Sequence, residues 1–208
     1  MSVLVLKLSG PLQSWGTELK LEDHGTDTMP SKSGVIGMVA AALGRRRDED
    51  ISDLRALRFG ARCDSGGSML QSRILRDFQV AHVKSEKSAP YVSKRYYLQD
   101  ACFTVGLEGD REFLEKCADA MNRPVFPPYL GRRSCVPDPD LVTGIFEGSL
   151  EDVLKTVGTE ENKEKSRKRI CVESYDECDR LRHDNPMSFD FHNRVYAYRM
   201  EKDLYIEE

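Results

Sequence analysis

Four short stretches hold the side chains that suit chemistry on a polyanion. In Pro128-Tyr129-Leu130-Gly131-Arg132-Arg133-Ser134-Cys135, Gly131 lets backbone approach a ligand closely. Arg132 and Arg133 offer charge-assisted, often bidentate, hydrogen bonds to phosphate, and Tyr129 is a ring on which a base can stack. The same residues suit a rigid turn whose arginines bind carboxylates at a protein interface, and residue type alone leaves the two readings even. In Gly10-Pro11-Leu12-Gln13-Ser14-Trp15-Gly16, Gln13 and Ser14 can hydrogen-bond bases or sugars, while Trp15, the only Trp, is more often a core or interface anchor than a base platform. In Pro30-Ser31-Lys32-Ser33-Gly34, the free N–H groups of a helix start, its positive dipole end and Lys32 beside Ser33 suit an anion site, although a hydroxyl-rich cap of this kind is also common in ordinary helices. No Gly-x4-Gly-Lys-[Ser/Thr] pattern is present, so this is not a P-loop.

The fourth stretch spans residues 70–97. It holds six basic residues (Arg73, Arg76, Lys84, Lys87, Lys94 and Arg95) against Asp77 and Glu86. Phe78, Tyr91, Tyr96 and Tyr97 are interleaved with them, a mixture that suits single-stranded RNA. A solvated hairpin is the plainer alternative. Catalytic candidates are thin. His24, His82, His183 and His192 lie in no nucleophile or metal motif. Metal-free RNA cleavage needs a general base and a stabiliser of the charged transition state, for which His24 with Lys32, or His82 with Lys84, would have to serve. The six cysteines form no Cys-x-x-Cys pair and no zinc-finger spacing with His. Reduced thiols are expected, with no metal and no cofactor.

The elements that position these residues are legible in part. Val3 to Leu8 is apolar on both faces, as in a central strand. A helix opens at Ser31, its N-cap, and runs to about Leu43, where Gly44 stops it and Arg45, Arg46 and Arg47 suit the negative end of its dipole. Gly34, Gly37 and Ala41 form a stripe expected to pack the helix closely on a sheet. Strands are expected over 57–63, 70–83, 91–97, 101–107 and 141–146, and helices over 111–121 and 149–157, the last capped by Ser149. Residues 122–139 form a Pro-rich loop. Residues 158–187, with the basic run 161–169, look like a polar loop, and 189–200 like a final strand. Removing 68–98 leaves strand, helix, strand, strand, helix, strand. The expected fold is therefore α+β: a ferredoxin-like (RRM-like) split βαβ domain with a protruding hairpin.

Composition bounds the function. The chain has 208 residues, enough for one domain with an insertion. Its longest apolar stretch, Val35 to Leu43, is far short of the roughly 20 residues that span a bilayer, and the start of the chain reads as a strand and not a signal peptide. A cytoplasmic protein without membrane contact is expected. The net charge of −4 is unusual for a free-standing RNA-binding domain, so any polyanion site must be a local basic patch.

Taken together, Leu8 to Gly16, Pro30 to Gly37, Tyr97-Leu98-Gln99-Asp100-Ala101-Cys102-Phe103 and Pro128 to Cys135 resemble, in this order, the CasD family of type I-E CRISPR Cascade subunits, within the RAMP superfamily. The similarity covers about residues 1–147. It implies a ferredoxin-like domain over 1–147 with a thumb at about 78–98, followed by a C-terminal extension over 148–208. It implies a non-catalytic subunit in antiviral defence that binds and caps the crRNA 5′ handle. It further implies contact with the adjacent backbone subunit and the large subunit. On this resemblance the RNA-binding residues are Gln13, Ser14, Trp15, Lys32, Ser33, Tyr129, Gly131, Arg132 and Arg133. Thumb contacts fall to Arg76, Phe78, Lys84, Lys87, Lys94, Arg95 and Tyr96. The chain departs from the family at Asp77-Phe78-Gln79-Val80 and His24-Gly25-Thr26-Asp27-Thr28. A related type I-C subunit cleaves precursor RNA, but no Lys directly precedes a His here. Cleavage of precursor CRISPR RNA is the alternative function.

Overall fold

The computed structural model describes residues 1–16, 23–64, 74–81, 90–158 and 168–206. Strand β1 (Ser2–Ser9) is central, as its pattern requires: Leu4, Leu6 and Leu8 are buried in one apolar cluster, Val3 and Val5 in another. The first cluster lies under helix α1 (Lys32–Ala42), helix α2 (Ser52–Ala56) and helix α3 (Arg111–Asn122); the second lies under helix α4 (Leu150–Thr156). Both faces of β1 are therefore dry from Val3 to Leu6.

A seven-stranded sheet runs in the order β10 (Arg180–Ser188), β11 (Val195–Ile206), β9 (Lys168–Glu173), β4 (Arg58–Cys63), β7 (Cys102–Gly109), β1 and β8 (Val142–Glu147). A second, four-stranded sheet is built on β6 (Tyr91–Gln99). It pairs with β2 (Leu12–Gln13), β3 (Asp23–His24) and β5 (Ile74–Ala81). The β5–β6 ladder is antiparallel from Ile74–Leu98 to Ala81–Tyr91, so the expected hairpin exists. Its connection, with Lys84 and Lys87, lies outside the described residues.

Caps were read well. The Ser31 hydroxyl accepts from the Gly34 N–H at 3.2 Å, Gly44 adopts φ +80°, and Ser149 caps α4 at 3.2 Å. The expected polar loop over 158–187 is corrected: within it lie β9 and β10, both strands of the seven-stranded sheet. The final strand starts at Val195, not at 189. The elements after residue 147 continue the same sheet, since β9 pairs with β4 through Gly60–Val172, Ala61–Cys171 and Arg62–Ile170. Strand β10 escaped the sequence reading because its inward residues are charged, and β9 because its apolar centre, Ile170-Cys171-Val172, is only three residues long within a polar run. Arg182, Asp184, Arg199 and Glu201 turn inward and neutralise one another, which leaves no apolar alternation. Pro186 is tolerated because β10 is an edge strand. Among the described residues no helix is long and apolar enough to cross a membrane.

Candidate nucleic-acid interface

The site begins with a turn that only glycine can make. Gly131 has φ +83°, and a Cβ there would stand 1.7 Å from the Ser14 carbonyl oxygen. Backbone bonds lock the turn: Leu130 N–H to Cys135 O at 2.8 Å, Cys135 N–H to Arg132 O at 2.8 Å, and Ser14 N–H to Leu130 O at 3.1 Å. The loop is thereby fixed to the segment after β2, and Arg132 and Arg133 are presented from a rigid base.

Arg132 lies over the Tyr97 ring, 5.0 Å from its centroid, and donates from Nη2 to the His24 carbonyl at 2.8 Å. Its Nη1 is buried with no hydrogen-bond partner among the described residues. Arg133 is exposed and has no ion-pair partner among them. Around this turn opens a groove of about 920 Å³. Its walls are the 126–133 loop, the inner stripe of α1, the arginine run after α1 and the start of the β10–β11 hairpin. Six arginines line it: Arg45, Arg46, Arg47, Arg132, Arg133 and Arg194, joined by His24 and His183; no Asp or Glu does. Arg45 is committed to Asp53 at 2.6 Å and to the Asp50 carbonyl at 2.9 Å; the bond to Asp53 raises its pKa. Arg47, Arg133 and Arg194 carry no carboxylate partner among the described residues. With Arg45 paired to Asp53 and Arg46 3.9 Å from Asp48, the groove still keeps a net cationic lining in a chain of net charge −4.

The stripe Gly34, Gly37 and Ala41 faces this groove and not the sheet, which corrects the sequence expectation. A Cβ at Gly34 would meet the Trp15 ring at 2.9 Å and the Ser31 hydroxyl at 3.0 Å; at Gly37 it would meet only the Phe189 ring, at 3.5 Å.

The expected site residues divide. Ser14, Trp15, Ser33, Tyr129, Gly131, Arg132 and Arg133 all border the groove. Trp15 does so from a nearly complete burial, 1% exposed, with its indole N–H donating to Gln13 Oε1 at 3.0 Å. Gln13 is fully buried: its amide donates to the carbonyls of Leu8 (3.1 Å) and Ala101 (2.7 Å), so its polar atoms are used inside the protein. Ser14 donates to the Tyr96 carbonyl at 3.1 Å. Lys32 is not at the groove. Only 2% exposed, it places its ammonium against Glu173 at 2.8 and 3.1 Å, and burial pulls its pKa below the ordinary lysine value. The expected helix-start anion site is occupied by a carboxylate of the protein itself, since Asp184 accepts from the Lys32 backbone N–H at 2.9 Å. For the same reason the His24–Lys32 pair is not assembled.

The hairpin residues stand apart from the groove walls. Arg76 lies over Phe78 at 5.1 Å, and Phe78 faces Lys94 across the ladder. Asp77 stands opposite Arg95, which tempers its charge. Phe78, Val80 and Val92 are all about half exposed. Lys84, Lys87 and His82 lie outside the described residues.

Sequence reasoning missed Arg45, Arg46 and Arg47 as groove residues by assigning them to the helix dipole, weighed His183 only as a catalytic candidate, and did not place Arg194 or Tyr196 at a site. Three consecutive arginines after a glycine stop were a usable signal; in the second group His183 lies on the unrecognised β10, and Arg194 and Tyr196, though within the expected final strand, reach the groove only through its pairing with β10. Elsewhere, Cys171, Glu201 and Asp203 bring ligand atoms within 4.8 Å of one another. Their carboxylates are engaged by Arg169, Arg180, Arg182 and Arg199, and burial drives the Cys171 thiol far above its ordinary pKa. That chemistry suits a packed ionic core.

Three comparisons bear on this geometry. A family model described as CRISPR-associated protein (Cas_Cas5) matches residues 3–200. The CRISPR system Cascade subunit CasD of Escherichia coli (strain K12) is 35% identical over 166 residues, covering 71% of this chain and 73% of that protein. Among solved structures, a crystal structure of a Cas protein superposes with TM-score 0.74 and 37% identity over 99% of this chain and 95% of its own. A CRISPR RNA-guided surveillance complex contains a chain that superposes with TM-score 0.79 and 31% identity over 99% of this chain and 90% of its own. With the family match running nearly end to end, the chain belongs to the Cas5 family of CRISPR-associated proteins.

Proposed function

We propose that this protein is a non-catalytic subunit of a type I-E Cascade surveillance complex, in which it caps the crRNA 5′ handle by holding its phosphates in the arginine groove. The observation that carries the reading is the charge of that groove: six arginines, two histidines and no carboxylate among its lining residues. Arg47, Arg133 and Arg194, with rings beside them, supply the unpaired cations that suit single-stranded RNA. The likeness to a Cascade subunit and to a chain of an RNA-guided complex supports the assignment.

Within this reading Lys32 and Gln13 are structural, and Ser33, Tyr129, Gly131, Arg132 and Arg133 face the RNA. Residues 1–147 form the ferredoxin-like unit. The order β4-β7-β1-β8, all antiparallel, supports that arrangement. The hairpin acts as a thumb, and its exposed Phe78, Val80 and Val92 suit contact with the backbone subunit, with the large subunit also adjoining. The protein acts in the cytoplasm, in antiviral defence.

The test is co-purification of the assembled complex followed by RNA extraction. Arg132→Ala with Arg133→Ala is expected to reduce guide-RNA retention and flatten its salt dependence; unchanged retention contradicts the proposal. Clean single-site cleavage of repeat RNA by the pure protein in EDTA, lost in His24→Ala, would replace it with the endoribonuclease reading.

A further inference from the structure

The C-terminal hairpin has two faces of opposite character. Its inward face is ionic and fixed: Arg199 donates to Asp184 at 2.6 Å and to Glu201 at 2.7 Å, and Asp184 also holds the start of α1. Its outward face carries rings. His183 and Tyr198 lie 4.6 Å apart between centroids with planes inclined at 33°, and Tyr196 meets His183 edge-on at 6.2 Å. A contact of 3.0 Å between His183 Nε2 and the Tyr196 carbonyl fixes the imidazole. Tyr198 nevertheless leaves 67% of itself in solvent. His183 and Tyr196 line the arginine groove, beside Arg194.

From this arrangement we infer that the His183–Tyr196–Tyr198 cluster is a stacking platform for an unpaired base of the RNA strand whose phosphates occupy the groove; the inference rests on the reading proposed above. Three features of the surface point to that occupant. The rings are continuous with a cationic track, and a nucleic-acid strand presents flat rings beside anions in just this alternation. The rings are pre-oriented by a buried ionic frame, so little order has to be imposed on binding. No carboxylate lines the adjoining groove to repel a phosphate. Because every base has a π-face, such a platform accepts any base, and its contribution is independent of salt, unlike that of the arginines.

The test uses the full chain and single-stranded RNA carrying 2-aminopurine at each position in turn. The account expects quenching at one or two neighbouring positions. Tyr198→Ala with His183→Ala should relieve that quenching and weaken binding about tenfold, with the slope of log K against log salt unchanged and the unfolding temperature retained. Tyr198→Trp should keep the quenching. If the alanine variant binds and quenches like the parent while Arg133→Gln with Arg194→Gln weakens binding and flattens the slope, the platform falls and the groove stands. If neither variant alters binding, both fall. Should the alanine variant lose a protein subunit on co-purification with quenching intact, the rings meet protein, and the inference is overturned.

Discussion

Two regions of this molecule are built from arginine and lysine, and they differ in what surrounds the charge. Beneath the C-terminal hairpin, Lys32, Arg182 and Arg199 are largely buried and matched by Glu173, Asp184 and Glu201. At the groove, Arg47, Arg133 and Arg194 face solvent and are matched by no carboxylate among the described residues. Buried paired charges hold elements together, at the risk that losing one partner strands the other in a dry interior. Exposed unpaired charges add nothing to the fold and raise the local potential, which is useful only to an anion. Burial and pairing, more than residue type, separate scaffold from site.

The comparison breaks most sharply at Lys32. Lys32→Met leaves Glu173 buried without its ammonium and should destabilise the protein by about 3–5 kcal/mol. Urea unfolding measures this, and a change smaller than about 1 kcal/mol would mean that the pair is better hydrated than its 2% exposure implies. Restoring neutrality with Lys32→Met and Glu173→Leu together should recover much of the loss. Gly131→Ala comes next. Its Cβ cannot coexist with the Ser14 carbonyl, and its φ of +83° costs a non-glycine residue roughly 1–3 kcal/mol. The expected outcome is a lower unfolding temperature together with weaker RNA binding, because the turn that carries Arg132 and Arg133 is displaced. The smallest effect belongs to Gly37→Ala. The new methyl meets only the Phe189 ring at ordinary contact distance, and the helix gains about 0.5–1 kcal/mol. A loss of stability there would show that α1 packs against something tighter than the groove.

What the sequence made legible follows the same division. Caps, the glycine stop and the two-sided apolar strand were readable because each is a local rule obeyed by neighbouring residues: Ser31 with Gly34, Gly44 after Leu43, Val3 beside Leu4. The turn at Gly131 was readable as a motif. Lys32 was misread because a lysine at a helix start looks alike whether its partner is a phosphate or a glutamate 141 residues away. Strand β10 was missed because its inner residues are charged and are satisfied only after the chain has folded, and β9 because its apolar centre is three residues in a polar run. One wall of the groove therefore stayed hidden, since His183 reaches it from the unrecognised β10, and Tyr196 of β11 and Phe189 of the connection are brought there by pairing with that strand.

The central claim is that the unpaired groove arginines, and not basic residues at large, hold RNA phosphates. Its most direct test is the salt dependence of RNA binding by the full chain with Arg47, Arg133 and Arg194 changed to glutamine, set beside Arg111→Gln, a surface arginine already paired with Glu115 and Glu147. The groove variant should flatten the slope of log K against log salt by about 2, near 0.7 per lost contact to a single strand, while the Arg111 variant leaves it unchanged. Equal slopes in all three proteins would contradict the account.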